Sequence, residues 1–377
     1  MARVRLGEVA TERRETHKGS KSGYPVVGLE HLISENINLS MWDESGVNTF
    51  TKMFHKGDVL FGRRRAYLKK AVIAPFDGIC SGDITVIVSR PEYILPELLP
   101  FVIQNEAFFD YAVGKSAGSL SPRVKWEYLR EYEFDLLAMD EQRKLARVLW
   151  AVNDTIEAYK RLMSATEELV QGQFVEMFGN PGEDVYGWGL TTLGECCEIN
   201  PKRPKDINTD CDYSFVAMPS VSEDGVIDVS ICRPYAEICK GFTYFAENDV
   251  LFAKITPCME NGKGGIAVGL KNGIGFGSTE FHVLRPLAGK SNPEWIYTLT
   301  TFKNFRSNAA KMMTGSGGQR RVPVTYLSKY KISLPPYDLQ QQFADFVHQA
   351  DKSKSSLQKA LTAARNISRK IISENLN

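Results

Sequence analysis

The second half of this chain restates the first, and a duplication of that length leaves few folds open. Leu6-Gly7-Glu8 returns as Leu193-Gly194-Glu195, and Tyr24 with the stretch Pro25 to Leu29 returns as Tyr213 with Ser214 to Met218. Asp58-Val59-Leu60-Phe61 returns as Asp249-Val250-Leu251-Phe252, and Ser81, Asp83 and Val86 return as Ser278, Glu280 and Val283. Pro96-Glu97 matches Pro293-Glu294, Phe108 matches Phe305, and Gly118-Ser119 matches Gly315-Ser316. Arg123-Val124 and Tyr128-Leu129 match Arg321-Val322 and Tyr326-Leu327. The offset grows from 187 at Leu6/Leu193 to 198 at Tyr128/Tyr326, so the added residues fall in loops. Each copy reads as a globular head followed by a long helix.

Residues 140–178 read as one helix. Leu145, Leu149, Val152, Ile156, Tyr159, Met163, Thr166, Val170, Gln173 and Met177 step alternately by four and three, the spacing of a coiled-coil seam. Gly179-Asn180-Pro181 ends it, and at 1.5 Å per residue such a rod is about 58 Å long. The same alternation recurs near the C-terminus at Phe343, Val347, Ala350, Leu357, Leu361, Ala364 and Ile371, with Lys354 and Ser368 as polar interruptions. Residues 140–180 hold five Lys/Arg against seven Asp/Glu and residues 338–377 six against four, so the two rods attract. Two amphipathic helices packed on separate cores would carry the same stripes; the duplication favours pairing. Pro335-Pro336 bars helix until Asp338 can cap the second rod.

The heads read as mixed α/β. Strands are expected at 26–29, 58–61, 71–73, 84–88 and 133–137, with a helix at about 96–113; the second copy should hold strands at 215–218, 249–254, 266–268, 280–284 and 331–334 and a helix near 293–310. The expected organisation is a head at 1–139, a long helix at 140–180, a second head at 181–337 and a second long helix at 338–377.

Composition excludes more than it selects. A net charge of +1 argues against a histone-like, purely electrostatic binder. The N-terminus lacks an apolar signal core and no run of about 18 apolar residues occurs, so the chain reads as cytoplasmic, with no membrane partner. Seven cysteines form no C-x2-C pair, and the five histidines are scattered, which leaves no catalytic residue and no metal ligand to single out. Leu334-Pro335-Pro336-Tyr337 approximates the D/N-P-P-Y signature of amino-methyltransferases, but a Leu cannot accept the hydrogen bond of the target amine. Gly275-Phe276-Gly277-Ser278 and Gly315-Ser316-Gly317-Gly318 lack the Lys-Ser/Thr of a phosphate loop and read as turns.

Two basic, loop-borne clusters remain, in matching positions of the two copies. The first holds Arg63, Arg64, Arg65, Lys69 and Lys70, against Lys254 and Lys263 in the second copy. The other holds Ser119, Arg123 and Lys125, against Ser316, Gln319, Arg320 and Arg321. Arg suits guanine edges, Gln adenine edges and Lys phosphates, so these are the candidate DNA contacts. An exposed charged loop explains either cluster alone; their recurrence in register favours a shared role.

The pattern resembles the specificity subunits of type I restriction-modification systems across essentially the whole chain. The L-G-E starts, the D-V-L-F strands, the G-S…R-V loops and the P-P-Y-D-L-Q segment at Pro335–Gln340 carry the resemblance; the first copy departs from it, with Ala138-Met139 in place of Pro-Pro. The resemblance implies an α+β chain: two similar mixed α/β target recognition domains separated by two long helices in an antiparallel coiled coil, a pseudo-twofold internal repeat. It further implies double-stranded DNA as ligand, two DNA methyltransferase subunits and motor-nuclease restriction subunits as partners, and catalysis outside this chain. No cofactor is then expected here; S-adenosylmethionine, ATP and Mg belong to the partners. Leu162, Leu169 and Phe178, off the seam, are candidate docking positions or, equally, parts of the local core. A coiled-coil scaffold or adaptor that binds no DNA, and a self-contained DNA methyltransferase, are the alternatives.

Overall fold

In the computed structural model the residues described are 2–19, 23–44, 49–316 and 318–377. The chain forms two compact units, one comprising residues up to Arg161 together with Leu357–Asn377, the other Leu162–Ser356. The long helices, Met139–Phe178 and Tyr337–Asn375, are each divided between them.

In the first unit Ala2–Arg5 pairs antiparallel with Glu133–Leu136, bringing the start of the head to its exit strand. A four-stranded sheet runs in the order Ala10–Glu12, Ile84–Ser89, Val59–Gly62, Ala71–Ile73. A second sheet sets Gly78–Cys80 between Val26–Val27, to which it is parallel, and Lys52–Phe54. The second unit repeats this plan. Leu190–Thr192 pairs with Lys331–Ser333; Cys197–Ile199, Phe281–Pro286, Val250–Ala253 and Gly264–Ile266 form the four-stranded sheet. Its other sheet, Cys232–Pro234, Asp212–Val216, Ile274–Gly277 and Thr243–Ala246, has an added edge strand. The repeat holds at the level of register: Leu60 lies opposite Val86, and Leu251 opposite Val283.

Each unit closes its core on an antiparallel pair of helix halves. In the first, Leu145 and Leu149 of one helix share a buried cluster with Ile372 and Leu376 of the other, under Phe101, Phe108 and Phe134 of the head. In the second, Phe343 packs edge-on against Phe174 and Phe178, at 5.5 and 5.3 Å between ring centroids, and Lys354 reaches Glu167 at 2.8 Å. Of the expected seam, Ile156, Val347 and Leu361 are also buried, while Val152, Tyr159, Met163, Val170, Met177, Leu357 and Ile371 are half-buried. Half-burial is what a two-helix seam achieves where no head covers it.

Four expectations need correction. The helix expected over 96–113 is two, Leu99–Ile103 and Glu106–Gly114, because Asn105 leaves helical geometry (ψ 136°). Its side chain caps Ala107 N while donating to the Leu376 carbonyl, so docking of the chain's end breaks the helix. Its twin is likewise split, into Pro293–Thr301 and Lys303–Met312, where Phe302 turns its ring onto Phe174. Gly275-Phe276-Gly277 is strand rather than turn: a Cβ on Gly275 would lie 2.2 Å from the Phe245 ring and one on Gly277 2.4 Å from the Val216 carbonyl. These glycines allow close approach within a sheet. Asp338 lies inside the first turn of a helix that begins at Tyr337, where its charge favours the helix N-terminus without capping it.

The strand-to-helix joint rests on twin glutamines. Gln142, 1% exposed, accepts from Leu95 N (2.9 Å) and donates to the carbonyls of Tyr93 (3.1 Å) and Leu137 (2.9 Å). Gln340, fully buried, accepts from Asn292 N (3.2 Å) and donates to the carbonyls of Lys290 and Pro335, both at 3.0 Å. Gln340→Leu leaves three backbone groups without their partner, two of them in buried bonds, and should destabilise the second unit by about 2–4 kcal/mol in urea unfolding. A change below about 0.5 kcal/mol would show that the joint holds without it.

Candidate nucleic-acid interface

Each head builds the same construction at the end of its central strand. In the first, Val59–Gly62 runs into Arg63, whose N–H donates to the Asp83 carbonyl (3.0 Å) and whose carbonyl accepts from Val124 N (3.0 Å). In the second, Lys254 N donates to the Glu280 carbonyl (2.9 Å), and Val322 N to the Lys254 carbonyl (2.9 Å). Beside each loop stands a hairpin closed by a two-way backbone pair: Ala117 with Arg123 (2.9 Å both ways) and Thr314 with Arg321 (3.0 and 2.8 Å). Loop and hairpin are tied again by Arg65 N to the Pro122 carbonyl (2.8 Å) and by Thr256 N to the Arg320 carbonyl (3.0 Å).

A carboxylate locks each hairpin. Arg123 grips Asp83 through Nε and Nη2 at 2.7 and 3.2 Å; Arg321 grips Glu280 the same way at 2.9 and 2.7 Å. The Arg123 guanidinium holds the Asp83 carboxyl below its ordinary range, and Arg321 does the same for Glu280. Bidentate pairs fix orientation as well as position. The repeat already set Asp83 and Glu280 in register, which was the one available sign of this role.

The candidate cations therefore divide. Arg64 reaches Ser121 Oγ (3.1 Å) and approaches Asp83; Lys69 pairs with Glu106; Lys70 donates to the Leu29 carbonyl (2.7 Å) and its twin Lys263 to the Met218 carbonyl (3.3 Å). Arg320 donates to the carbonyls of Ala310 and Met313 at the end of a helix. These side chains, with Arg123 and Arg321, build the loops. Arg65 and Lys125 are exposed, as are Ser119, Ser316 and Gln319, and their side chains make no hydrogen bond or ion pair among the described residues, although the Lys125 charge helps to lower the Glu127 carboxyl. Arg63 and Lys254 are half-buried; the Arg63 Nε has no partner, and burial pushes the Lys254 ammonium down from its ordinary value. Gly317, within the second hairpin, lies outside the described residues.

Sequence reasoning missed Arg306. Only 7% exposed, it donates to the Met259 carbonyl at 2.6 Å and lies 5.2 Å from the Phe252 ring, with its pKa pushed down to about 10 by burial. Phe109 takes that position in the first head, stacked on Phe61 at 5.9 Å. Of the positions read as either docking or core, Phe178 is 4% exposed and belongs to the second unit's core, whereas Leu162 and Leu169 are 51% and 57% exposed. Among the described residues no three His, Cys, Asp or Glu side chains are grouped to hold a metal ion, and no helix is long and apolar enough to cross a membrane. Burial pushes the Cys80 and Cys197 thiols up to about 12, which removes them as nucleophiles.

Residues 186–364 match the family of the type I restriction modification DNA specificity domain. The chain is 39% identical over 191 residues to the type I restriction enzyme EcoEI specificity subunit of Escherichia coli, a match covering 48% of this chain and 32% of that protein. It is 40% identical over 200 residues to the EcoAI specificity subunit, also of Escherichia coli, covering 49% and 33%. The chain thus spans about a third of the length of the curated relatives it matches. Over 99% of this chain and 97% of the other, its fold matches a chain from a structure of the type I R-M system, with a TM-score of 0.50 and 19% identity. Residues 186–364, just under half of the chain, thus match the type I restriction modification DNA specificity domain, and about half of the chain is similar to specificity subunits of type I restriction enzymes. The likeness to the solved structure is one of fold.

The carboxylate locks carry a pH dependence. A carboxyl whose pKa is depressed on folding contributes stability in full above its unfolded value, about 3.9 for Asp and 4.3 for Glu, and loses it as pH falls through the folded value. Amide exchange at Arg321 N–H, corrected for its intrinsic rate, should stay protected from pH 7 to about pH 4.5 and open below that. Glu280→Gln should remove the step; protection unchanged by either acid or the substitution would contradict the lock.

Proposed function

We propose that this chain is the sequence-reading subunit of a type I restriction-modification complex, in which the head at 1–139 reads one half of a bipartite, asymmetric DNA target and the head at 181–337 the other. The observation that carries this reading is the same hairpin-and-loop construction, locked by the same arginine–carboxylate geometry in both heads, with different residues at its tips. Identical scaffolds with different tips suit two related but unequal half-sites. Such a subunit acts in the cytoplasm, where its DNA is.

In this reading the free residues touch DNA and the anchored ones position them. Arg65, Lys125 and Gln319 contact the duplex, Arg63 and Lys254 support the phosphate path, and Arg123 and Arg321 act through the hairpins they hold. The long helices set the unread gap and present Leu162 and Leu169 to two methyltransferase subunits. Methyl transfer, with S-adenosylmethionine, and ATP- and Mg-dependent translocation and cleavage belong to the partners. This chain supplies the address.

Mapping methylated adenines in a host carrying the intact system should reveal two unlike half-sites separated by a fixed gap, and deleting one heptad from both long helices should shorten that gap. A continuous site, or a gap indifferent to helix length, would refute the proposal. Lys125→Ala should weaken binding evenly across sequences and reduce the slope of log K against log salt by about 1, whereas Gln319→Ala should relax preference in one half-site only. The reverse pattern would exchange their roles.

A further inference from the structure

The two hairpins differ most at their tips. In the second head the tip carries Ser316, Gly318 and Gln319, all exposed and none with an apolar side chain of size. In the first head the matching tip carries Leu120, 89% exposed, more than any other large apolar side chain among the described residues. A second apolar surface stands beside it. The short turn Ala66–Leu68 presents Tyr67 and Leu68 at 53% and 41% exposure, and it is bracketed by two non-glycine residues in left-handed geometry, Arg65 (φ 55°) and Lys69 (φ 50°).

Turn and hairpin are one piece. Arg65 N donates to the Pro122 carbonyl at 2.8 Å and Arg64 Nη2 to Ser121 Oγ at 3.1 Å, on either side of the hairpin strand that leaves Leu120. The Arg123–Asp83 pair and the Lys69–Glu106 pair hold both from beneath. A braced apolar point, tied through Pro122 to the exposed Arg65, suits a polyanion with an apolar interior. Duplex DNA is such a ligand: cations neutralise its phosphates while an apolar wedge enters between base pairs and unstacks them. An isolated exposed Leu needs no explanation, but one on a hairpin braced to a turn with left-handed Arg65 and Lys69 does.

Resting on the reading of the heads as DNA-reading modules, we infer that Leu120, backed by Tyr67, inserts into one base step of the half-site read by the first head and unstacks it. The second head, with Gln319 in the corresponding hairpin, reads its half-site by hydrogen bonds without unstacking. Specificity in the first half-site then includes the deformability of a step that no polar group touches.

The test uses the full chain assembled with its methyltransferase and duplexes carrying 2-aminopurine at successive positions across both half-sites. The native complex should raise the emission several-fold at one step of a single half-site, apart from any change at the methylated adenine. Leu120→Ala should abolish that emission and weaken binding about tenfold, Leu120→Met should retain most of both, and Gln319→Ala should leave the emission intact. Site-specific methylation with flat emission at every step would overturn the wedge while leaving the DNA-reading role standing; absence of any sequence preference would overturn that role itself. A Leu120→Ala chain that binds DNA normally but no longer assembles with the methyltransferase would show that a protein surface, and not a base step, covers the tip.

Discussion

The structure depends on how each head is joined to its helix, and that joint is a side-chain amide. Where a strand ends and a helix begins, backbone groups lose their partners from both elements, and water cannot replace them once the joint is buried. Gln142 and Gln340, each in the first turns of a long helix, satisfy one N–H and two carbonyls drawn from the strand exit and from the segment before the head's helix. The buried amide thereby ties head to rod within each unit.

The two copies keep the demands of the fold and vary the way they are met. A buried carboxylate caps the turn before the central strand in both heads, Asp58 accepting from His55 N and Asp249 from Ala246 N. The guanidinium that neutralises it comes from Arg13 in one head and from Arg285, on a different strand, in the other. The ring opposite Phe61 is Phe109, whereas the plane over Phe252 is the buried guanidinium of Arg306. Once duplicated, each position was constrained only by the local need, a counter-charge or a flat packing surface, and two solutions survived.

Electrostatics in such a chain is local. With a net charge of +1, attraction to a polyanion must come from a few unpaired cations held in place by paired ones. The bidentate arginines raise no exposed potential, because each is neutralised by its carboxylate; they fix the hairpins from which the free groups project. On the proposed reading, affinity and aim reside in different residues of one cluster.

The sequence by itself determined the duplication, the two rods and their seam, the matching basic loops and the strands at their roots, because periodicity and internal repetition are properties of local order along the chain. It also carried the twin glutamines and the Asp83/Glu280 pair as repeated letters, without their roles. Tertiary structure alone decided that Asn105 and Phe302 break their helices, that Gly275 and Gly277 lie in a strand, that Phe178 is core, and which of the candidate cations are free. Each of those outcomes depends on a partner tens to hundreds of residues away, and no spacing within a single stretch encodes which distant group will arrive beside it.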